Sequence, residues 1–135
     1  MPREATDLAR TIKAMRPTLP AKDFEISERF YRDLGFQART LTDGLAEIHL
    51  GAFSFILQNY YVRQWADNLV MHLFVSDVSR WWDHVVTLDL ASRYGVKTIA
   101  PRLESWGARV AGVVDPSDVL WRFHEVPASH SESSL

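Results

Sequence analysis

The sequence contains no cysteine. That removes disulfides, thiolate metal centres and thiol nucleophiles together, and it accords with a reducing cytoplasm. No stretch approaches the roughly 20 consecutive apolar residues that span a bilayer, so no membrane partner is expected. The first residues mix Arg3, Glu4, Asp7 and Arg10 with no apolar run behind them, unlike a secretory signal. Basic excess is also missing: the formal net charge is −2 and no basic stripe occurs. Nucleic acid, which is held chiefly through its phosphates, is therefore not an expected partner. There is no Gly-x-Gly-x-x-Gly or other phosphate-cradling loop and no Gly-x-Ser-x-Gly nucleophile elbow. Glu47 and His49 alternate on one face of a hairpin strand, without a third catalytic partner in view.

What is present reads as one globular domain over residues 1–135. Its 47% hydrophobic and 24% charged residues are enough to build a core. The first ten residues are polar and read as an extra helix or an arm. The Ser-rich tail from Pro127 to Leu135 reads as mobile.

Between these ends the chain states one plan twice. The first copy, residues 11–60, opens with an extended run from Ile12 to Leu19, broken by Pro17 and Pro20. Asp23 is a helix N-cap candidate, because its short carboxylate can accept from the free N–H groups of the first turn. Ile26, Phe30 and Leu34 recur at helical spacing, and Gly35 supplies the positive φ that commonly ends a helix. Three β-rich segments follow, Phe36–Leu41, Leu45–Leu50 and Phe53–Gln58, punctuated by Asp43-Gly44 and Gly51.

After a linker over residues 61–68, the second copy (69–126) repeats the plan. It has a strand at Leu69–Val75, a cap at Asp77, a helical stripe of Trp81, Val85 and Leu88, and Tyr94-Gly95-Val96 in place of Leu34-Gly35-Phe36. Strands follow at Lys97–Ala100, Ala108–Val114 and Val119–Val126. Gly35 follows Asp23 by 12 positions and Gly95 follows Asp77 by 18. The second crossover thus carries about one and a half extra helical turns, placed around Leu88–Arg93. The expected architecture is α+β, tandem βαβββ modules with curved, mixed and mostly antiparallel sheets. A four-stranded module has one apolar face that needs a partner to cover it. Pairing two modules leaves a concave cavity of the kind that ligands favour.

The run from Pro17 to Asp23, then Ser27, Phe30-Tyr31 and Leu34-Gly35-Phe36, resembles the opening of bleomycin-resistance-type proteins. Trp106-Gly107-Ala108-Arg109 followed by Asp115-Pro116 is similar to their second-module signature. The resemblance runs from about Ile12 to Val126 and places the chain with the glyoxalase/bleomycin-resistance/extradiol dioxygenase (vicinal oxygen chelate) superfamily. One departure is Asp118, where such proteins usually carry Gly; Asp tolerates the left-handed turn better than most residues.

Enzymes of that superfamily hold a divalent metal on His, Glu or Gln from four strands. The resemblance puts those positions at Arg16, Val70, Arg122 and either Ile56 or Leu57. None of these side chains suits a divalent cation, and the two arginines repel it. No cofactor and no metal is therefore expected. Residues i and i+2 of a strand share a face, so His72 joins Val70, His124 joins Arg122, and Gln58 joins Ile56. His72, His124 and Gln58 are accordingly either pocket residues or a displaced three-ligand site.

The resemblance to metal-free, drug-binding members implies a homodimer that sequesters or senses a planar, antibiotic-like or metabolite ligand. Its ligand-binding residues would be Trp106, His72, Arg16, Arg122, His124 and Gln58, with no catalytic residue. Aromatic faces suit flat ligands. Arg16 and Arg122, if they face inward, suit an anionic one; equally, each has an acidic neighbour in Glu47 or Glu104. Trp121 falls on the core side of its strand, Trp81 and Trp82 on a helix, and Trp65, Tyr60 and Tyr61 in the linker region. The alternative function is a metal-dependent lyase, isomerase or dioxygenase with relocated ligands.

Overall fold

Residues 7–127 are described by the structure, a computed structural model. Expectations for the first six residues and for the tail from residue 128 lie outside the described residues; residues 7–9 form a turn of helix. The eight strands form two sheets of identical topology. In the first, β1 (Thr18–Pro20), β4 (Phe53–Gln58), β3 (Leu45–Leu50) and β2 (Gln37–Thr42) lie in that order. In the second the order is β5 (Val70–Phe74), β8 (Leu120–Glu125), β7 (Arg109–Val114) and β6 (Thr98–Leu103). β1 pairs parallel with β4 and β5 with β8, and every other pairing is antiparallel. These are the mixed, mostly antiparallel sheets of a tandem βαβββ chain.

The caps fall where the sequence places them. Asp23 accepts from the Ile26 amide at 3.2 Å and starts α1 (Phe24–Leu34), which Gly35 ends with φ +113°. Asp77 accepts from the Arg80 amide at 3.1 Å and starts α3 (Val78–Thr87). A four-residue helix, α2 (Arg63–Ala66), occupies the linker.

Three local expectations change. The run from Ile12 is strand only from Thr18, and residues 12–16 are exposed. Two prolines without N–H groups restrict ladder formation there, although the Pro17 carbonyl accepts from the Ile56 amide at 2.8 Å. The buried stripe of α1 is Ser27, Phe30, Tyr31 and Leu34, whereas Ile26 is 36% exposed. The extra residues of the second crossover do not lengthen α3. Asp89 turns the chain at φ +54°, and a separate short helix, α4 (Leu90–Tyr94), follows. α4 docks on the first half: Arg93 bonds Asp33 at 2.6 Å and the Tyr94 hydroxyl donates to the same carboxylate.

Both halves share one buried core. At its centre Tyr31 of α1, Phe36, Phe55 of β4 and Trp121 of β8 pack with centroid separations of 5.0 to 6.1 Å. Trp121 thus lies on the core side of its strand, 3% exposed, as the alternation requires. Its indole N–H donates to the Tyr31 hydroxyl at 2.9 Å, and that hydroxyl donates to Asp115 at 2.5 Å. Asp115 also accepts from the Ser117 and Val119 amides, which folds the β7–β8 turn. A buried polar chain therefore runs from one half into the other. Each donor in it has a partner, as burial demands.

Asp118 explains its own departure from glycine. Its φ is +73°, the left-handed geometry that glycine would accept freely. Its carboxylate takes the Lys22 ammonium at 2.7 Å and the Tyr61 hydroxyl at 2.8 Å. Three segments, the β1–α1 loop, the linker and the β7–β8 turn, meet on that one carboxylate.

Candidate functional site

Strand alternation gives each sheet a core face and an open face. On β5, Met71 and Leu73 pack on the core, while Val70, His72 and Phe74 are exposed on the other side. On β8, Trp121 and Phe123 are core, and Arg122 and His124 share the open face with β5. Glu125 points the other way and caps α3, accepting from the Val78 amide at 2.9 Å. On β4, Leu57 is fully buried in the core and Ile56 is not. Ile56 faces the open side, opposite Glu47 of β3.

The open face of the second sheet carries an aromatic and imidazole wall. His72 Nδ1 and His124 Nε2 lie 2.9 Å apart, so one ring donates to the other. Phe74 stacks on His124 at 4.9 Å and 27°, and the half-exposed Trp106 ring lies 5.6 Å from it. His124 is 3% exposed, and its Nδ1 has no hydrogen-bond partner among the described residues. Burial holds this imidazole below the ordinary histidine range, with His72 and Arg122 acting in the same direction and Glu104 opposing them. Arg122, paired across the parallel register with His72, reaches Glu104 at 3.5 Å.

On the first sheet the open face is ionic. Glu47 binds Arg39 at 2.7 Å and His49 at 2.6 Å, and Arg16 stands 3.8 Å away. Hydrogen bonding from Arg39 is the main reason its carboxyl titrates below the usual range. Arg16 Nε donates to Ser54 Oγ at 2.7 Å. Both arginines thus have the acidic neighbours that the sequence left open as an alternative to a bare cationic floor.

Trp106, His72, His124 and Arg122 are brought together on the second sheet. Arg16 and Gln58 belong to the first, with Gln58 exposed at the end of β4 beside Pro20 and Leu45. Between the sheets lies a cleft of about 360 Å³ lined by both Arg16 and His72. Arg109 turns to the helix side, 3.4 Å from the Ser79 hydroxyl of α3. Trp65 and Tyr60 are exposed in the linker with ring centroids 6.3 Å apart, while Tyr61 is tied to Asp118.

Sequence reasoning did not single out Phe74, Lys13 or Ser54 for the site. Phe74 and Ser54 were reachable as the i+2 neighbour of His72 and the i−2 neighbour of Ile56; nothing in the sequence brings Lys13 into the cleft.

The donor set at the positions implied for a metal does not fit one. Arg16 and Arg122 offer only N–H donors, and Ile56 and Val70 offer no donor atom. The His72–His124 bond commits one lone pair of that pair to a hydrogen, and Gln58 sits on the other sheet. No group of three or more His, Cys, Asp or Glu is placed to hold a metal among the described residues. No described helix is long and apolar enough to cross a membrane.

No protein-family model matches the chain and no curated protein matches it by sequence. Solved structures do. A bleomycin-binding protein complexed with bleomycin superposes with TM-score 0.72 at 22% identity, covering 86% of this chain and all of its own, 100%. A glyoxalase/bleomycin resistance protein/dioxygenase from Nocardioides gives 0.69 at 15% identity, covering 98% of each chain. A lactoylglutathione lyase from Agrobacterium tumefaciens gives 0.63 at 16% identity, covering 84% of this chain and 94% of its own. The two four-stranded sheets, their strand orders and these superpositions together make this the fold of the bleomycin-resistance and glyoxalase proteins.

Proposed function

We propose that this chain is a metal-free, homodimeric cytoplasmic protein that sequesters or senses a planar small molecule, an acidic one included, rather than transforming it. The observation that carries the reading is the wall formed by Trp106, Phe74 and the His72–His124 pair. Flat ligands stack well on such faces, and a buried imidazole nitrogen without a partner is a ready site for one directional hydrogen bond. A protein of the same fold, the bleomycin-binding protein, binds a small molecule in its complex. Self-association is supported by Val70, Phe74 and Trp106, which leave apolar surface exposed on the second sheet's open side in the single chain. A second copy would cover it.

Tryptophan-fluorescence titration against planar aromatic acids and bases tests the reading. Saturable quenching in the native protein, lost in Trp106→Ala, is the expected result. Sedimentation at micromolar concentration should show a dimer. Stoichiometric Ni, Zn, Fe or Mn in protein purified without chelator, lost in His72→Ala, would overturn the metal-free reading and favour a lyase, isomerase or dioxygenase.

A further inference from the structure

We infer that the cleft between the two sheets is the site for an amphipathic anion, an apolar body with one acidic head held by Arg16 and Lys13. This goes beyond the binding reading above, because Trp106, Phe74 and His124 of the aromatic wall lie outside the cleft lining.

The cleft, about 360 Å³, is at the small end of the roughly 300–1,000 Å³ range of ligand pockets. Its lining is divided by chemistry. Phe36, Phe55 and Trp121, the rings at the centre of the shared core, contribute apolar surface from within. Met71 and Leu73 add aliphatic surface from β5. The polar residues along it are Lys13, Arg16, Ser54 and His72, the last with its ring turned to His124, and no acidic residue lines the cleft.

The charge balance favours an anion. Glu47 reaches Arg16 only at 3.8 Å, and its two oxygens already serve Arg39 at 2.7 Å and His49 at 2.6 Å. One carboxylate cannot neutralise two guanidinium groups, so positive charge is left on the Arg16 side. Lys13 has no ion pair among the described residues. The Nε–Ser54 bond fixes the plane of the Arg16 guanidinium and leaves its terminal N–H groups available, a geometry suited to a carboxylate or sulfonate. The low-dielectric floor strengthens that attraction and penalises a bound cation.

The test uses the full chain, calorimetric titration and three isosteric probes: 2-naphthoate, 2-naphthylmethanol and 2-naphthylmethylammonium. Naphthoate should bind about tenfold or more tightly than the alcohol, as expected for a hydrogen-bonded charge pair, and the ammonium should bind most weakly. Arg16→Gln and Lys13→Ala should each weaken naphthoate and leave the alcohol unchanged. Leu73→Trp, which fills the cleft, should abolish both while thermal unfolding stays cooperative. Equal affinity for the acid and the alcohol, or an Arg16→Gln protein that binds naphthoate like the native one, overturns the inference. Naphthoate binding lost in Trp106→Ala but intact in Arg16→Gln and Leu73→Trp also overturns it. That pattern would leave the binding reading standing at the aromatic wall. No binding by any probe overturns the cleft, and the fluorescence titration then decides the broader reading independently.

Discussion

The two sheets share a topology and differ on their open faces. The first ties its charges together: Glu47 gathers Arg39, Arg16 and His49, and Ser54 occupies Arg16 further. The second leaves aromatic rings half exposed and one buried imidazole nitrogen unserved. Fold repetition has preserved backbone pairing and core alternation, which need only an apolar side chain at every second position. The opposite face is free of that demand, and there the two copies have parted. The lesson is that the shared scaffold specifies where a pocket lies, and the unshared faces specify what it holds.

The contrast can be broken at the core or sharpened at the faces. The largest effect belongs to Trp121→Ala, which removes the ring common to both halves. A loss of about 3–5 kcal/mol in urea unfolding is expected, with both halves melting together. A loss confined to the second sheet would mean the halves are energetically separate.

Acid titration comes next. Burial pushes the Asp115 carboxyl up to about 6 from 3.8. A raised folded value means that its contribution to stability is complete below about 3.8 and is lost as pH rises through about 6. By linkage this amounts to about 3 kcal/mol. His124 works in the opposite sense: its depressed value gives stability above about 6.5, the ordinary value, that is lost as pH falls. Unfolding midpoints measured between pH 4 and 7 should show Asp115→Asn without the decline towards neutrality and His124→Phe without the acid-side loss. If Asp115→Asn keeps the native slope, another group is responsible.

The Asp118 junction is smaller. Asp118→Ala loses two charge-assisted hydrogen bonds on an exposed group and keeps an unfavourable φ, for about 1 kcal/mol. Asp118→Gly relieves the backbone and should recover part of that loss, measurable as a higher thermal midpoint than in Asp118→Ala. Least of all, Trp106→Ala should leave stability within about 0.5 kcal/mol, because the ring is half exposed, while removing ligand-dependent quenching. A large stability loss there would make Trp106 a packing residue and erase the contrast between the faces.

Most of the fold was legible because it depends on signals local in sequence. The caps Asp23 and Asp77, the stops Gly35 and Gly95, and the alternation of β4, β5 and β8 act within a few residues. The separate helix α4 was not legible, since it depends on Asp89 adopting φ +54° and on Asp33 receiving Arg93 from 60 positions away. The site was legible by face but not by partner. Alternation puts His72 and His124 on one side, yet the 2.9 Å bond between them spans 52 positions of chain. The bond from Arg16 to Ser54 spans 38. Such contacts are decided by how sheets meet, and no spacing along the chain encodes them.

The buried chain from Trp121 through Tyr31 to Asp115 also bears on how the protein is made. Synthesis proceeds from the N-terminus at about 5–20 residues per second, so α1 and its sheet emerge first. The Tyr31 hydroxyl then lacks both of its folded-state partners until residues 115 and 121 follow. For several seconds the nascent first half displays Phe36, Phe55 and Leu57 without the ring that completes their cluster. That interval is when the growing chain is most exposed to capture by another of its kind or by a chaperone.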